Sequence, residues 1–555
     1  MRRKYLGIFT ALCALLVALT STAGAQSGGK PFILPMADPP GPSTWLLGQP
    51  YGNTVGAFLR GADWYEAGQR LHFGLDFTMP CGTPLIAMAD GEVIFVDDRG
   101  FGSGPHNLLI RHEQTGLITL YGHLLERPQL EPGQRVQQGQ VIALSGDPDE
   151  TCDSRPHLHL EVRSLNYFTA YNPIDFIDAN WHTLAAIGGF SYPFFQQDLD
   201  HPRRWMSLDD QPIVNFGGAP LNNYAAPYPD RRTGAAPANP PLMRDLGPLS
   251  AGVTLSLRRL AFDGCCPGAW WHPTDAGRLY VIDGNDGQRA AVFEWDTIQG
   301  GPVQVIGQAP PPPLSPDGTH EVNPSDNGVL IRRLADNVEW LVETGSATPA
   351  ISTDNSMLLW HAVRPDAEGT EIWVSAIDGT GGRPIVAVEG GSAVWLDGSR
   401  LLISSREGIT TTLTVYDSAA DSMFVLGAWD WVRGLTIAPG GGRLMFYRVF
   451  SDDSAEDVVY TIETQPGAAA QRLSWFGAWR WRDAHSVYYL PLDSSSDRHT
   501  VRYYHIPSGD DRPLTTPAGS FAVANGDWSV SADGQQIIFW NAADFTLWLL
   551  EMTGS

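Results

Sequence analysis

His72-Phe73-Gly74-Leu75-Asp76 sets an imidazole and a carboxylate four positions apart around a glycine, and His157-Leu158-His159 sets two imidazoles on one β-type run. These are side chains of the metal-ligand and acid–base types. Residues i and i+2 of a strand face the same side, so both rings of the second motif project into one site. Neither motif means much alone, because a lone H-x-H is more often a structural or surface pair. Their combination, order and framing are what point to chemistry.

The elements that must carry them are short β-type runs between glycine turns: 84–89, 91–96, 108–112, 118–121, 140–144 and 157–162. Their alternation predicts a compact antiparallel sheet over residues 31–180. Between the two motifs stand Cys81-Gly82-Thr83-Pro84, Ala89-Asp90-Gly91-Glu92-Val93, Asn107 before Ile110-Arg111-His112, Thr119-Leu120-Tyr121-Gly122-His123-Leu124, Gly133-Gln134-Arg135-Val136, Gly139-Gln140-Val141-Ile142 and Ser145-Gly146.

Strung together with His157-Leu158-His159-Leu160-Glu161-Val162, this series resembles the lysostaphin-like (LytM-type) zinc metallopeptidases, which cut peptidoglycan cross-links or stem peptides. The likeness covers about residues 70–178. It implies one Zn²⁺ held by His72, Asp76 and His159, with His123 and His157 as the catalytic pair that helps activate water and stabilise the oxyanion. A catalytic zinc takes three N/O ligands and leaves a position for water, whose pKa it lowers from about 15.7 toward 7. Imidazoles suit the pair because an ordinary pKa near 6.5 lets them exchange protons at neutral pH. Arg155 and Asn107 are the candidate substrate contacts; Arg155 either holds a substrate carboxylate bidentately or is an exposed structural arginine. Glu161 reads equally as a support for His159 or as strand polarity, and His112 as structural. The glycine-rich stretch usual before the paired histidines is replaced by Thr151-Cys152-Asp153-Ser154-Arg155-Pro156. That departure bears on specificity. A disulfide between Cys81 and Cys152 would tie the two halves of the site together.

The remainder of the 555 residues obeys other rules. Arg2, Arg3 and Lys4 ahead of an apolar Leu6–Leu19 stretch and Ala23-Gly24-Ala25 predict a secretory signal peptide over 1–25, an ordinary one in preference to a twin-arginine one. No other segment is long and apolar enough for a membrane anchor. Cys265 and Cys266 are adjacent and either pair with each other or stay reduced; the four cysteines outside the signal, these two with Cys81 and Cys152, lack the C-x-x-C spacing of a structural zinc site. Residues 181–250 read as a Pro/Gly/Ala-rich linker region, with seven prolines between Gly217 and Leu249.

From 251 to 555 the chain repeats. Turn patterns such as Ser315-Pro316-Asp317-Gly318 and Ser531-Ala532-Asp533-Gly534 recur at intervals of 43, 37, 43, 43, 43 and 50, each followed by β runs. This period predicts a propeller of four-stranded blades, seven by the turn count, with six or eight as neighbours. The region resembles TolB-type propellers, which implies an interaction platform. The Asp-Gly turns read as turns only, and the fifteen tryptophans as core in preference to glycan-stacking surfaces.

The chain is therefore expected to be mainly β, exported and acidic. A formal charge of −25, taken to −28 by removal of a signal with three positive and no negative side chains, argues against nucleic acid as a partner. The expected function is a zinc metalloendopeptidase acting on peptidoglycan or another secreted peptide, with an envelope protein or glycan on the propeller. The alternatives are a non-catalytic envelope regulator on the same fold, or a propeller platform with an accessory peptidase.

Overall fold

The computed structural model describes residues 29–97, 103–188, 193–225, 243–262, 264–266, 268–284, 289–309, 312–364 and 369–553. The expected signal peptide and the centre of the proline-rich stretch, 226–242, lie outside the described residues.

The first domain contains β1 (Leu46–Gln49), α1 (Val55–Leu59), β2 (Leu75–Thr78), β3 (Pro84–Ile86), β4 (Gly91–Val96), β5 (His106–His112), β6 (Leu117–Leu124), β7 (Arg135–Val136), β8 (Val141–Leu144), β9 (His157–Ser164), β10 (Thr169–Tyr171), α2 (Trp181–Gly188) and β11 (Val214–Asn215). The main sheet runs β1-β2-β9-β6-β5-β4-β7, with β10 and β11 added beside β9, while β3 and β8 form a separate pair. All of these pairings are antiparallel. Strand β9 shows why the sequence folds this way. Leu158, Leu160 and Val162 are wholly buried in the core on one face, and the polar set His157, His159, Glu161 and Arg163 takes the other.

The stretch expected as linker divides. Residues 243–250 do lead into the propeller, but 181–188 and 193–222 pack with the first domain, although Leu199 joins a propeller cluster with Ile282 and Val292, and Ile187 one with Trp479. Helix α2 buries Trp181, Leu184, Ala185, Ala186 and Ile187, the pairing of β11 with β10 closes the sheet, and Phe194, Phe195, Leu199, Leu208 and Val214 are buried. These apolar residues follow no sustained period, so composition alone blends them with the proline-rich run that follows.

The second domain is a propeller of seven sheets among the described residues. Blades 1 to 6 occupy 269–308, 320–342, 350–388, 392–430, 432–472 and 477–513; blade 2 has three strands, its first place taken by a bridge from Leu314 to Glu321. Blade 7 is built from both ends of the region. Strand Thr254–Arg259 adds to Val523–Val530, Gln536–Asn541 and Thr546–Thr553, pairing with the last of these, which closes the ring. The repeated aspartates serve their own turns: Asp317 accepts from the backbone N–H of Thr319 and the hydroxyl of Ser315, and Asp354 and Asp533 repeat the arrangement. Trp395 and Trp479 are fully buried.

The first domain sits on one face of this ring. In each blade the recurring turn, which carries an aspartate in all but blade 5, joins strands one and two, and the hairpin joining strands two and three lies at the opposite end. Contacts with the first domain come from that opposite end. The Phe450 N–H donates to Pro42 O, Asn180 donates to Ser494 O and Thr183 to Ser496 O, and Arg203 forms a two-pronged ion pair with Asp283. Trp540 and Ala524 belong to the same buried cluster as the main sheet of the first domain.

Candidate metal centre

Antiparallel pairing brings the two motifs together. Asp76 on β2 is directly opposite His159 on β9, Thr78 is opposite His157, and Gly122 on β6 flanks His159 from the other side. His72 precedes β2, and the glycine inside its motif has a steric reason. A Cβ on Gly74 would lie 2.6 Å from Leu160 O and 2.7 Å from the His159 ring, so only glycine lets this turn cross β9. His123, last but one on β6, is in the left-handed region, φ 55°, and its ring centroid stands 4.7 Å from that of His157. A non-glycine residue held there is of the strained kind that gathers at functional sites.

Three donor atoms converge. His72 Nε2 lies 3.2 Å from Asp76 Oδ1 and 3.3 Å from His159 Nδ1, and His159 Nδ1 lies 2.8 Å from Asp76 Oδ1. Ligands at 2.0–2.1 Å around a tetrahedral ion stand roughly 3.3 Å apart. The spacing and the donor set, two imidazoles and one carboxylate, therefore fit a small divalent cation. Among the described residues Cys265, Cys266 and Asp283 form the other group of this type, but Asp283 is already held by Arg203.

Each imidazole has its outward nitrogen occupied by an acceptor. His72 Nδ1 donates to Pro50 O at 2.7 Å, His159 Nε2 to Glu161 Oε1 at 3.3 Å, His157 Nδ1 to Arg155 O at 2.7 Å and His123 Nδ1 to Gly104 O. A neutral ring that donates from one nitrogen presents a lone pair on the other. The inner nitrogens of His72, His159 and His157 lie 3.2, 2.8 and 3.7 Å from Asp76 Oδ1. Glu161, fully buried, is paired in turn with the buried Arg163 guanidinium.

The charges favour a cation. Burial pushes the Asp76 carboxyl up, but His72, His157 and His159 outweigh it and hold the group well below its usual range. Burial pushes His159 down, yet hydrogen bonds and charge from Asp76 and Glu161 raise it to about 9. The field that holds a proton at Nδ1 is one that would hold a metal ion there. His123 goes the other way, to about 3, through burial and then the neighbouring imidazoles, and so stays neutral.

The other expected residues are placed as follows. The Arg155 guanidinium lies over the Trp64 indole at 4.6 Å and 3.4 Å from Asp149 Oδ1, at the rim of the centre. Asn107 is buried on β5, and its backbone N–H donates to Asp97. His112 is buried, hydrogen-bonded to Asp90 O and Thr119 Oγ1. The structure joins Cys81 to Cys152, Cα atoms 5.9 Å apart, which fastens the turn after β2 to the loop before β9. Sequence reasoning passed over Arg163, although the alternation that singled out Glu161 continues to it, and Tyr65, whose ring meets His72 edge-on at 5.5 Å. No spacing signal marks Tyr65.

The profile of peptidase family M23 matches residues 70–173, the segment holding all five converging side chains. Residues 70–173 are a peptidase family M23 domain. The M23 domain is 42% identical over 94 residues to the DD-carboxypeptidase/endopeptidase Mpg of Neisseria meningitidis, a match covering 17% of this chain and 20% of that protein. It is 36% identical over 107 residues to the peptidoglycan DD-endopeptidase ShyA of Vibrio cholerae, covering 19% and 24%. The chain thus spans about a fifth of the length of the curated relatives it matches. Outside the M23 domain, the TolB-like protein of Agrobacterium tumefaciens aligns in structure over 45% of this chain and 94% of its own, at 15% identity and a TM-score of 0.28. No helix among the described residues is long and apolar enough to cross a membrane.

Proposed function

We propose that the protein is an exported zinc metalloendopeptidase that hydrolyses peptide bonds of peptidoglycan, with the propeller positioning the M23 domain or binding an envelope protein or glycan. The carrying observation is the convergence of His72 Nε2, Asp76 Oδ1 and His159 Nδ1, with the lone pairs of His123 and His157 beside them. Wall-peptide relatives at 36–42% identity support the substrate class. Zinc bound there would supply Lewis acidity and lower the pKa of water. Each residue then has a task. Asp76 offsets part of the cation's charge, and the N–H bonds of His72 and His159 to Pro50 O and Glu161 fix their rings. His123 and His157 take up the proton of the attacking water; once protonated, an imidazole becomes a donor that holds the developing oxyanion and then delivers the proton to the leaving amine.

Zinc content and cleavage of purified sacculi, with fragments identified by mass spectrometry, test this reading. Wild-type protein should hold one equivalent of zinc and release peptide-cut fragments. His72→Ala should lose the metal, and His123→Ala should keep it while losing cleavage by about 100-fold or more. Retained cleavage by His72→Ala, or no cleavage of any wall type by zinc-loaded wild type, would overturn it.

A further inference from the structure

Arg406 and Arg433 stand together on the propeller face that meets the M23 domain. Arg406 ends the second strand of blade 4 (Arg400–Glu407), and Arg433 begins the first strand of blade 5 (Val432–Ile437). Antiparallel geometry puts those two ends on the same side of the ring. Arg406 reaches off that face: its Nη2 donates to Ser154 O at 3.0 Å and its Nε to Gly408 O at 2.8 Å. Ser154 is three residues from His157, so their Cα atoms are at most about 11 Å apart. The loop it contacts is firmly held. Asp147 accepts from the Ser154 hydroxyl and the Arg155 N–H, and the Cys81–Cys152 bond anchors it two residues earlier.

The electrostatics of this pair are unusual for so acidic a chain. Burial and then the charge of Arg433 lower the Arg406 guanidinium from its ordinary value. The Arg433 Nε is buried with no hydrogen-bond partner. The neighbouring Arg448, whose residue pairs with Val432 across the strands, is neutralised by Glu456 at 3.2 Å. Among the described residues Arg406 and Arg433 have no such carboxylate, although Glu407 and Asp430 are close to them in sequence and Asp153 adjoins Ser154. Two like charges left unneutralised beside the loop that leads to His157 call for an anion, and planar guanidinium forks match a carboxylate. Arg155 is less available, since it lies on Trp64 and near Asp149.

We propose that Arg406 and Arg433 form a carboxylate subsite by which the propeller selects the substrate: a free carboxylate of the peptide being cut, on the reading above that this is a wall peptide. The propeller is then part of the substrate path.

The test uses the full zinc-loaded chain and two cross-linked muropeptides that differ only in whether one carboxylate is free or amidated. For Arg406→Gln/Arg433→Gln the expected result is a KM about tenfold higher for the free-carboxylate peptide, kcat nearly unchanged, and no change for the amidated one. The double lysine variant should restore part of the difference. Equal effects on both peptides, or none, overturn the subsite. If wild type cuts neither peptide, the peptidase reading fails separately. Binding of N-acetyl-D-alanine to the full chain, followed by calorimetry, then decides the subsite: binding weakened about tenfold in the double variant supports it, and absent or unchanged binding overturns it.

Discussion

At the residue scale the centre is governed by which nitrogen of each imidazole carries a proton. His159 is the most exposed to this control, because Glu161 accepts its Nε2–H while Nδ1 points at Asp76. In the metal-free protein His159 is raised to about 9, so below that pH a cation must displace a proton. Metal affinity should therefore climb about tenfold per pH unit up to pH 9 and flatten above it, as measured by chelator competition; a flat profile from pH 6 to 9 would contradict this. Glu161→Ala should weaken metal binding by about 10–100-fold, since the ring loses its orienting acceptor. The same change leaves the buried Arg163 guanidinium without its carboxylate, and a thermal melt should show a loss of about 3–5 kcal/mol.

At the element scale, α2 joins the two domains. Its Thr183 hydroxyl donates to Ser496 O and lies 3.4 Å from His499 Nε2, and His499 Nδ1 accepts from the Val523 N–H. Burial pushes His499 down to about 4. The ordinary histidine value of 6.5 applies in the unfolded chain. Above pH 6.5 the ring is neutral in both states and carries no penalty. Between 6.5 and 4 the unfolded chain binds a proton that the folded one refuses, so stability falls with pH, by about 3 kcal/mol in all. Denaturant unfolding of metal-free protein at pH 7.5 and 4.5 should show this loss, and His499→Gln should reduce it; an unchanged loss would place the titration elsewhere.

For the whole molecule, the M23 domain and propeller should unfold as one body. Leu46 and Ile187 of the first domain are buried with Trp479 and Tyr447 of the propeller, and Ala524 and Trp540 of the propeller with the first domain's sheet. Gly526 packs against α2: a Cβ there would lie 2.9 Å from Ala186 Cα, and its φ of 79° disfavours any side chain. Gly526→Val should therefore cost about 1–3 kcal/mol. In calorimetry the single transition of wild type should split in two while the metal content is kept. A single unshifted transition would show that this seam does not couple the domains.

The chemistry of the centre was legible in the chain because it rests on short spacings. A glycine between His72 and Asp76 and a period of two between His157 and His159 are local properties that any antiparallel sheet converts into one face. The propeller was legible for the same kind of reason, a turn recurring about every 43 residues. Residues 181–188 and 193–222 were not, since their burial comes from contacts with a sheet and a propeller far away in sequence. Nor were the imidazole partners Pro50 and Gly104, the hold of Arg163 on Glu161, or the approach of Arg406 to Ser154 across 252 positions. Local pattern determined which side chains gather and what they can bind. Only the tertiary structure decided which nitrogen of each ring faces inward and what stands across the cleft, because hydrogen-bond acceptors and unpaired charges are supplied by whichever segment packs nearest.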